Sequence, residues 1–275
     1  MKYHQTFLII SIILSTLIFI SGGVGVTATG VYEREAFDWQ VQAVWQDYVD
    51  VFLIIPVLLI SGIFAYYKRR IAELVWAGTL LYLAYTYLIF CFDIHFNQLF
   101  IFYCFILGGS FYALTWFVYY KIAHRPFKDI IPVRSIITAT YLIVTGTTFY
   151  ILWLADVTPA MLTNTTPVKL EQYELPTNPV HVIDLSLLLP AYMLTGIMMY
   201  LRIGSWQLLM PLLLVFGVLM SVTIAGLQVL LFVRHLDGNL WVAIGLFSVA
   251  LFNIVLLYNN LHQRTHRVSA RTEPV

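Results

Sequence analysis

Residues 50–68 read DVFLIIPVLLISGIFAYYK, and residues 184–202 read DLSLLLPAYMLTGIMMYLR. Each stretch begins with Asp, has Pro six residues later and Gly twelve residues later, and ends with Lys or Arg. No charged residue lies in between. Because eighteen steps of helix rise about 27 Å, each stretch nearly covers the hydrocarbon core of a bilayer. Both stretches therefore predict a membrane-crossing helix with an acid near one boundary and a base near the other.

Further apolar segments of similar length occur along the whole chain. The composition is 60% hydrophobic and 11% charged, whereas soluble domains carry about 25% charged residues. Together these features predict an all-α integral membrane protein with eight transmembrane helices. The predicted segments lie near residues 7–26, 48–67, 72–92, 98–120, 135–154, 181–201, 206–233 and 240–259.

The basic residues predict the orientation of the chain. If the eight segments cross alternately, twelve of the 15 Lys and Arg fall on one side, and Arg34, Lys169 and Arg234 remain for the other. The side that is rich in Lys and Arg is normally cytoplasmic. Both termini are therefore predicted to be cytoplasmic, with residues 263–275 forming a basic tail. Most acids fall on the opposite side, which predicts an acidic outer face.

The two quoted stretches also indicate an internal duplication. A shift of 134 residues aligns Asp50, Pro56 and Gly62 with Asp184, Pro190 and Gly196. A weaker similarity relates residues 19–22 (FISG) to residues 143–146 (IVTG). Four crossings per copy keep both copies in one orientation, which predicts two parallel four-helix repeats, residues 1–134 and 135–262. The alternative is two helices that contain proline independently of each other.

The paired aspartates are the first candidates for a binding site. Asp50 and Asp184 lie near the outer edge of the hydrocarbon, where an ionisable residue is a functional candidate. Asp47 and His181 precede them by three residues and so share a helix face with them. Asn178 and Pro179 predict a helix start that leaves Asp184 too late to be a cap. Pseudo-symmetry would place the four side chains around a central axis, unless the acids simply mark the membrane boundary.

Two further residues join this candidate set. His95 lies in the short turn after the third segment, and with His181 and the aspartates it could form a nitrogen and oxygen metal site suited to zinc. No motif spacing requires a metal, and the sequence identifies no cofactor. Tyr85, with Tyr82 and Tyr87, lies in the outer half of the third segment, where these rings line a pocket or form an aromatic belt.

Two predictions concern packing. Cys91 and Cys104 are expected to be packed free thiols, because Cys104 lies several residues deeper in its segment than Cys91. Glu73 is expected to pair with Arg69 or Arg70 one turn earlier.

The sequence leaves three functions open. The first is a protein that binds or transports a small molecule, ion or lipid at an outward-facing acidic and histidine site between two pseudo-symmetric halves. The second is a membrane enzyme that acts on a lipid-linked substrate at the outer leaflet, with His181 as acid, base or metal ligand. The third is a non-catalytic accessory subunit. Membrane lipids are expected partners, a small molecule or cation is a possible ligand, and nothing indicates nucleic acid.

Overall fold

The protein is a bundle of membrane-length helices. The computed structural model describes residues 3–124, 135–204 and 206–269, and within these ranges it contains helices and no strands. Eight helices are long and apolar enough to cross a membrane, which confirms the predicted number. In chain order, these spans 1 to 8 are Tyr3–Thr27, Phe37–Tyr66, Arg70–Asp93, Phe100–Ala123, Ile136–Thr163, Pro179–Leu201, Trp206–Val233 and Leu240–Leu261.

Two smaller features complete the element order. The last helix continues to Ser269, and a short helix, Val168–Gln172, lies between spans 5 and 6. Residues 270–275, which end the predicted basic tail, lie outside the described ranges.

Successive spans run in opposite directions, so their connections fall on two faces. For example, the Tyr3 ring at the start of span 1 stacks on the Tyr120 ring at the end of span 4, with 3.9 Å between centroids. We call the face with connections 28–36, 94–99, 164–178 and 234–239 the acidic face. The face with both chain ends is called the basic face.

The helix starts on the acidic face follow local capping chemistry. Asn178 caps span 6 as predicted, since its side chain accepts hydrogen bonds from the backbone N–H groups of Val180 at 2.9 Å and His181 at 3.3 Å. Span 2 begins at Phe37, well before residue 48, and Ala36 occupies the N-cap position. Asp38 lies inside the first turn, where its carboxylate accepts a hydrogen bond from Tyr173 at 2.5 Å.

Spans 2 and 6 each contain one widened, π-helical turn, over Asp50–Ile54 and Asp184–Leu188. Pro56 and Pro190 follow these turns by two residues. A proline ring collides with the carbonyl group four residues before it and provides no N–H, so a regular α-helical turn cannot be kept there. A π-turn relieves the collision within a continuous helix. The kinks expected at these prolines are therefore wide turns, and each turn begins at the aspartate.

Spans 3 and 7 form the centre of the bundle and join its two halves. In their most apolar windows 61% and 67% of the residues are buried, compared with 22% in spans 5 and 8. Gly78 allows the close approach: a Cβ atom there would lie 2.5 Å from Cβ of Val215 and 3.1 Å from the Leu212 carbonyl oxygen. The Tyr85 and Phe216 rings add an edge contact with 5.3 Å between centroids.

Within each half, the first two spans pack through a glycine near the basic face. Gly62 lies against Phe7 and Ser11 of span 1, and Gly196 lies against Ala139 and Ile143 of span 5. The residues of span 1 that contact span 2 and the residues of span 5 that contact span 6 are thus about 132 positions apart in the sequence.

The weaker sequence similarity between residues 19–22 and 143–146 does not correspond to equivalent places. Gly22 packs against span 2 beside Asp47 and Val51, whereas Gly146 packs against span 6 at Leu189–Met193, about two turns closer to the basic face. Both glycines serve close helix packing, but at different depths.

Two packing predictions are corrected. Glu73 forms its ion pair with Lys121 of span 4 rather than with Arg69 or Arg70, because the antiparallel contact of spans 3 and 4 brings the buried ammonium to the buried carboxylate. Cys91 and Cys104 are both free, but their thiols lie next to each other. The turn between spans 3 and 4 therefore brings the two cysteines to nearly the same depth.

Candidate functional site

Asp50 is sealed inside the first half of the bundle. It begins the π-turn of span 2 and has no solvent exposure. The Gln46 side-chain amide, one turn earlier, donates to Asp50 Oδ1 and to the Tyr82 hydroxyl, both at 2.9 Å. The Tyr87 hydroxyl lies beside the carboxylate. Among the described residues, neither Asp50 Oδ2 nor that hydroxyl makes a hydrogen bond of ordinary geometry.

Asp47 lies one turn before Asp50 and is 1% exposed. Its Oδ2 accepts a hydrogen bond from the Tyr32 hydroxyl at 2.6 Å. Gly25 of span 1 leaves room for this pair, since a Cβ atom there would overlap the Asp47 carboxylate and lie 2.9 Å from the Tyr32 oxygen. Burial and the nearby Asp47 carboxylate raise the pKa of Tyr32 well above its ordinary value. Tyr32 is therefore a neutral hydrogen-bond donor at physiological pH.

Tyr32 also begins a chain of polar groups that leads to the acidic face. Because its own proton is donated to Asp47, its oxygen accepts from the Tyr103 hydroxyl, at 3.4 Å. The Asn97 amide donates to Tyr103 in turn, at 3.5 Å. Asn97 is half-buried in connection 94–99. The hydrogen bonds of this chain thus all point from the acidic face towards Asp47.

Asp184 has a different environment in the second half. It is 7% exposed, and the Trp153 indole of span 5 donates to its Oδ2 at 2.7 Å. Tyr85 of span 3 lies beside the carboxylate. Within the described residues, Oδ1 has no hydrogen-bond partner. His181 packs on the Trp153 ring, with 4.6 Å between centroids, and its Nε2 lies 3.6 Å from Asp156 Oδ2.

His95, which was also predicted to belong to the site, lies apart from Asp50 and Asp184. Glu35 is 6% exposed, and its carboxylate accepts a hydrogen bond from the His95 backbone N–H at 2.8 Å. The other carboxylate oxygen lies 3.0 Å from His95 Nδ1. This pair ties connection 28–36 to connection 94–99. In the parts of the chain that the structure describes, no group of three or more His, Cys, Asp or Glu could hold a metal ion.

A cavity of about 140 Å³ lies between the two halves near the acidic face. Most of the side chains that line it are apolar, four of the lining residues are aromatic and come from spans 2 and 3, and the glutamines, the threonines and Tyr85 add polar atoms. The Trp39 indole N–H is shielded from solvent and has no hydrogen-bond partner within the described residues. The residues of the wall that matter here are Trp39, Trp45, Gln46, Tyr85, Phe90 and Thr223.

Residues at corresponding sequence positions of the two halves line the cavity together. Four pairs of lining residues are separated by 134 positions, the same interval that relates Asp50 to Asp184. The pairs are Gln46 with Val180, Thr86 with Met220, Ile89 with Thr223, and Phe90 with Ile224. Spans 3 and 7, which are related only by order in the sequence, thus present corresponding positions to one space.

The structure therefore divides the predicted site into parts. Asp47 and Asp50 form one cluster, Asp184, His181 and Tyr85 a second, and His95 belongs to a loop contact. Of the six predicted residues, Tyr85 alone is among those lining the cavity. Sequence reasoning missed Gln46, although its position four residues before Asp50 places it on the same helix face. It also missed Tyr32 and Trp153, for which no sequence pattern gave a signal, and it named Tyr87 only together with Tyr82 and Tyr85 as a pocket or belt residue.

Comparisons with protein-family models, curated proteins and solved structures found no match to this chain.

Proposed function

We propose that this polytopic membrane protein binds a small organic cation in the cavity between its two halves, which the ligand enters from the acidic face. One observation carries the proposal. A lining residue from each side of the cavity is backed by a buried aspartate, since Gln46 is bonded to Asp50 and Tyr85 lies beside Asp184. A ligand in the cavity would be separated by a single layer of protein from a negative charge on each side, that of Asp184 in one half and that of the Asp47 and Asp50 pair in the other.

The size and lining of the cavity favour a ligand with one ring. A cavity of about 150 Å³ accommodates benzene, and this one is similar, at about 140 Å³. Indole and phenol rings attract cations at their faces, with Trp the strongest. Because Gln46 uses both amide hydrogens for Asp50 and Tyr82, its carbonyl oxygen is the group left to accept from a ligand.

The charge balance also favours a cation. Within the described residues, neither Asp50 nor Asp184 forms a salt bridge with Lys, Arg or His. A buried carboxylate without a positive partner attracts positive charge strongly, because little water screens it. An anionic ligand would be repelled by the same groups.

Three probes of matched shape test the proposal: benzylammonium, benzyl alcohol and benzoate. Titration of the purified protein in mild detergent should show binding in the order benzylammonium, benzyl alcohol, benzoate. Asp184→Asn should weaken benzylammonium binding about tenfold, which is about 1.4 kcal/mol, and leave benzyl alcohol unchanged. Asp237→Asn, which changes an exposed acid on the same face, is the matched control. Equal affinity for all three probes, or no binding of any, would reject the proposal.

Two outcomes would point to the other functions. A stoichiometric lipid-linked molecule that copurifies with wild-type protein, and is lost in Asp184→Asn, would favour the enzyme hypothesis. The absence of both probe binding and a copurifying molecule would favour the accessory subunit. Uptake of labelled benzylammonium into vesicles that contain the protein would show that the protein transports the ligand as well as binding it.

We also propose that the two halves are parallel copies and that the acidic face is extracytoplasmic. The matching π-turns and the four lining pairs support the duplication, and the distribution of Lys and Arg supports the orientation. A membrane-impermeant maleimide applied to intact cells tests the orientation. The protein would carry a cysteine at Asn164, with Cys91 and Cys104 replaced by serine. Labelling from outside is expected, and labelling only after permeabilisation would reverse the assignment.

A further inference from the structure

The first half buries two carboxylates side by side without a cationic partner. Asp47 and Asp50 lie one turn apart on one face of span 2, and they are 1% and 0% exposed. Within the described residues, neither forms a salt bridge. By contrast, the equally buried Glu73 is paired with Lys121. Two neighbouring negative charges in a water-poor interior are strongly unfavourable, so the pair needs one positive charge from elsewhere.

The hydrogen bonds indicate where that charge belongs. Tyr32 donates to one oxygen of Asp47, and Gln46 donates to one oxygen of Asp50. Asp50 Oδ2 and the adjacent Tyr87 hydroxyl are both buried and unpartnered among the described groups. A proton on Asp50 Oδ2 would let the carboxyl group donate to the Tyr87 oxygen. The Tyr87 hydroxyl can itself donate to an ionised Asp50, but only an added proton also removes one of the two charges.

We propose that Asp47 and Asp50 form a buried proton-binding site, which exchanges with water at the acidic face through Tyr32 and Tyr103. The bound proton resides on Asp50 Oδ2, and Asp47 remains ionised with Tyr32 as its donor. In the observed orientation the hydroxyl chain is set for uptake: Tyr103 takes a proton from water at the acidic face and gives its own to Tyr32, Tyr32 gives its own to Asp47, and Asp47 passes one to Asp50. Release runs in reverse after the Tyr32 and Tyr103 hydroxyl groups have turned towards the acidic face, so that each oxygen accepts a proton from the inner side and passes its own outwards. No oxidant, metal or covalent step is involved.

The geometry favours a proton over a metal cation. The route from the acidic face consists of hydrogen-bonded hydroxyl groups at 2.6 and 3.4 Å, which transfer protons but leave no gap for a hydrated ion. The Asp47 carboxylate fills the space beside Gly25, so no room for a metal ion remains on that side. A proton needs no additional ligands and no volume.

Within the described residues, the elements around the pair contribute no positive charge that would hold both acids ionised. The titratable groups facing it are Asp47 and Asp50 themselves on span 2, Tyr32 in connection 28–36, Tyr82 and Tyr87 on span 3, and Tyr103 on span 4. Span 1 contributes Gly22 and Gly25, and span 7 contributes Thr223 through Tyr82. Further out, Glu35 is matched by His95.

This site shares Gln46 with the cavity between the halves. With the proton on Asp50, the charges that attract a cation are those of Asp184 and Asp47, so the cavity does not require Asp50 to be ionised. The proposed proton site does not depend on whether a probe binds in the cavity. The proposed ligand site does not depend on whether Asp50 is protonated. The two proposals therefore have separate tests.

Infrared spectroscopy of the full-length protein in lipid tests the proton directly, because a protonated carboxyl group has its own C=O stretching band. The wild type should show this band at neutral pH. Asp50→Asn should remove a component that Asp237→Asn, in which an exposed acid is changed, leaves intact. Tyr87→Phe should retain the component but shift its frequency, because the carboxyl group loses its acceptor. In D₂O, the isotope shift of the band should appear more slowly in Tyr32→Phe than in the wild type.

Each opposing result is decisive. A wild-type spectrum without a protonated carboxyl band would show that the acids are ionised. A band that disappears when choline chloride is replaced by sodium chloride would assign the site to Na⁺. If Asp50→Asn does not fold, the frequency shift in Tyr87→Phe decides, and an unchanged frequency overturns the proposal. Equal exchange rates in wild type and Tyr32→Phe would reject the route.

Discussion

Asp50 and Asp184 occupy the same backbone setting but have different chemical surroundings. Each begins a π-turn, and a proline follows six residues later. Asp50 is fully enclosed by Gln46, Tyr87 and a second acid, whereas Asp184 is near the protein surface, held by the Trp153 indole. Backbone shape here follows from a short pattern within one helix. The protonation chemistry depends on neighbours contributed by other spans.

The differences between the two sites arise at two corresponding positions. Val180 stands where the first half has Gln46, and His181 stands where it has Asp47. Valine cannot donate to Asp184, and His181 turns towards Trp153 and Asp156. The first half thus has a polar network that continues to the acidic face, and the second half has a single acid that a cavity-lining tyrosine can reach.

The largest expected effect comes from a third buried acid, Glu73, which has the cationic partner that Asp50 lacks. Lys121→Met should lower the free energy of unfolding by about 3–5 kcal/mol, because it removes the ammonium group from the buried Glu73 and, within the described residues, leaves only the His4 ring to pair with it, with Nδ1 3.9 Å from Oε1. Asp50→Asn should cost about 1 kcal/mol, since it strands no opposite charge. Thermal unfolding in detergent measures both. The double variant Glu73→Gln/Lys121→Met should recover most of the loss, and equal losses in Lys121→Met and Asp50→Asn would refute the contrast.

The next effect tests the enclosure of the first-half acids. Gly25→Ala should destabilise the protein by about 2 kcal/mol, because the added methyl group overlaps the Asp47 carboxylate and forces it away from Tyr32. Gly23→Ala is the matched control on the same turn, since nothing lies within 4 Å of its Cβ position. Its thermal stability should stay within about 0.5 kcal/mol of wild type. If both variants melt alike, the space around Asp47 is not tight.

A smaller effect is expected at the second acid. Trp153→Phe removes the indole donor to Asp184 but keeps an aromatic ring, and should cost about 1 kcal/mol. In the cavity, the unpaired carboxylate should then attract benzylammonium more strongly, while benzyl alcohol affinity stays the same. Weaker benzylammonium binding in Trp153→Phe would show that Asp184 does not act on the cavity.

The sequence predicted those parts of the fold that are properties of single helices. Hydropathy located all eight spans, and Asn178 and Pro179 correctly predicted the start of span 6. The start of span 2 was less predictable, since the helix begins at Phe37 and Tyr173, from a distant loop, donates a hydrogen bond to the Asp38 carboxylate. Glu73 was assigned a partner one turn away, but the real one lies 48 residues later in the chain. Contacts between spans carry no local signal.

The site shows the same limit. Asp50, Asp184, Asp47 and Tyr85 were singled out from charge and position within a span, and the structure places each in a polar environment. The expectation of one central cluster depended on His181 turning inward, and the Trp153 ring holds it elsewhere. Gly25 could not be recognised as part of the site, because its role depends on how span 1 crosses span 2.

The smallest effect is expected from a variant that tests whether two substitutions can convert the Asp184 site into a site like that of Asp50. The double variant Val180→Gln/His181→Asp copies the first-half sequence beside Asp184. It should not create a second protonated-carboxyl band in the infrared spectrum. Asp184 is 7% exposed and the side chain at position 181 is 14% exposed, so two charges there would be less enclosed than those of Asp47 and Asp50. Appearance of a new band would mean that the residues within span 6, and not the enclosure by neighbouring spans, determine where the proton is held.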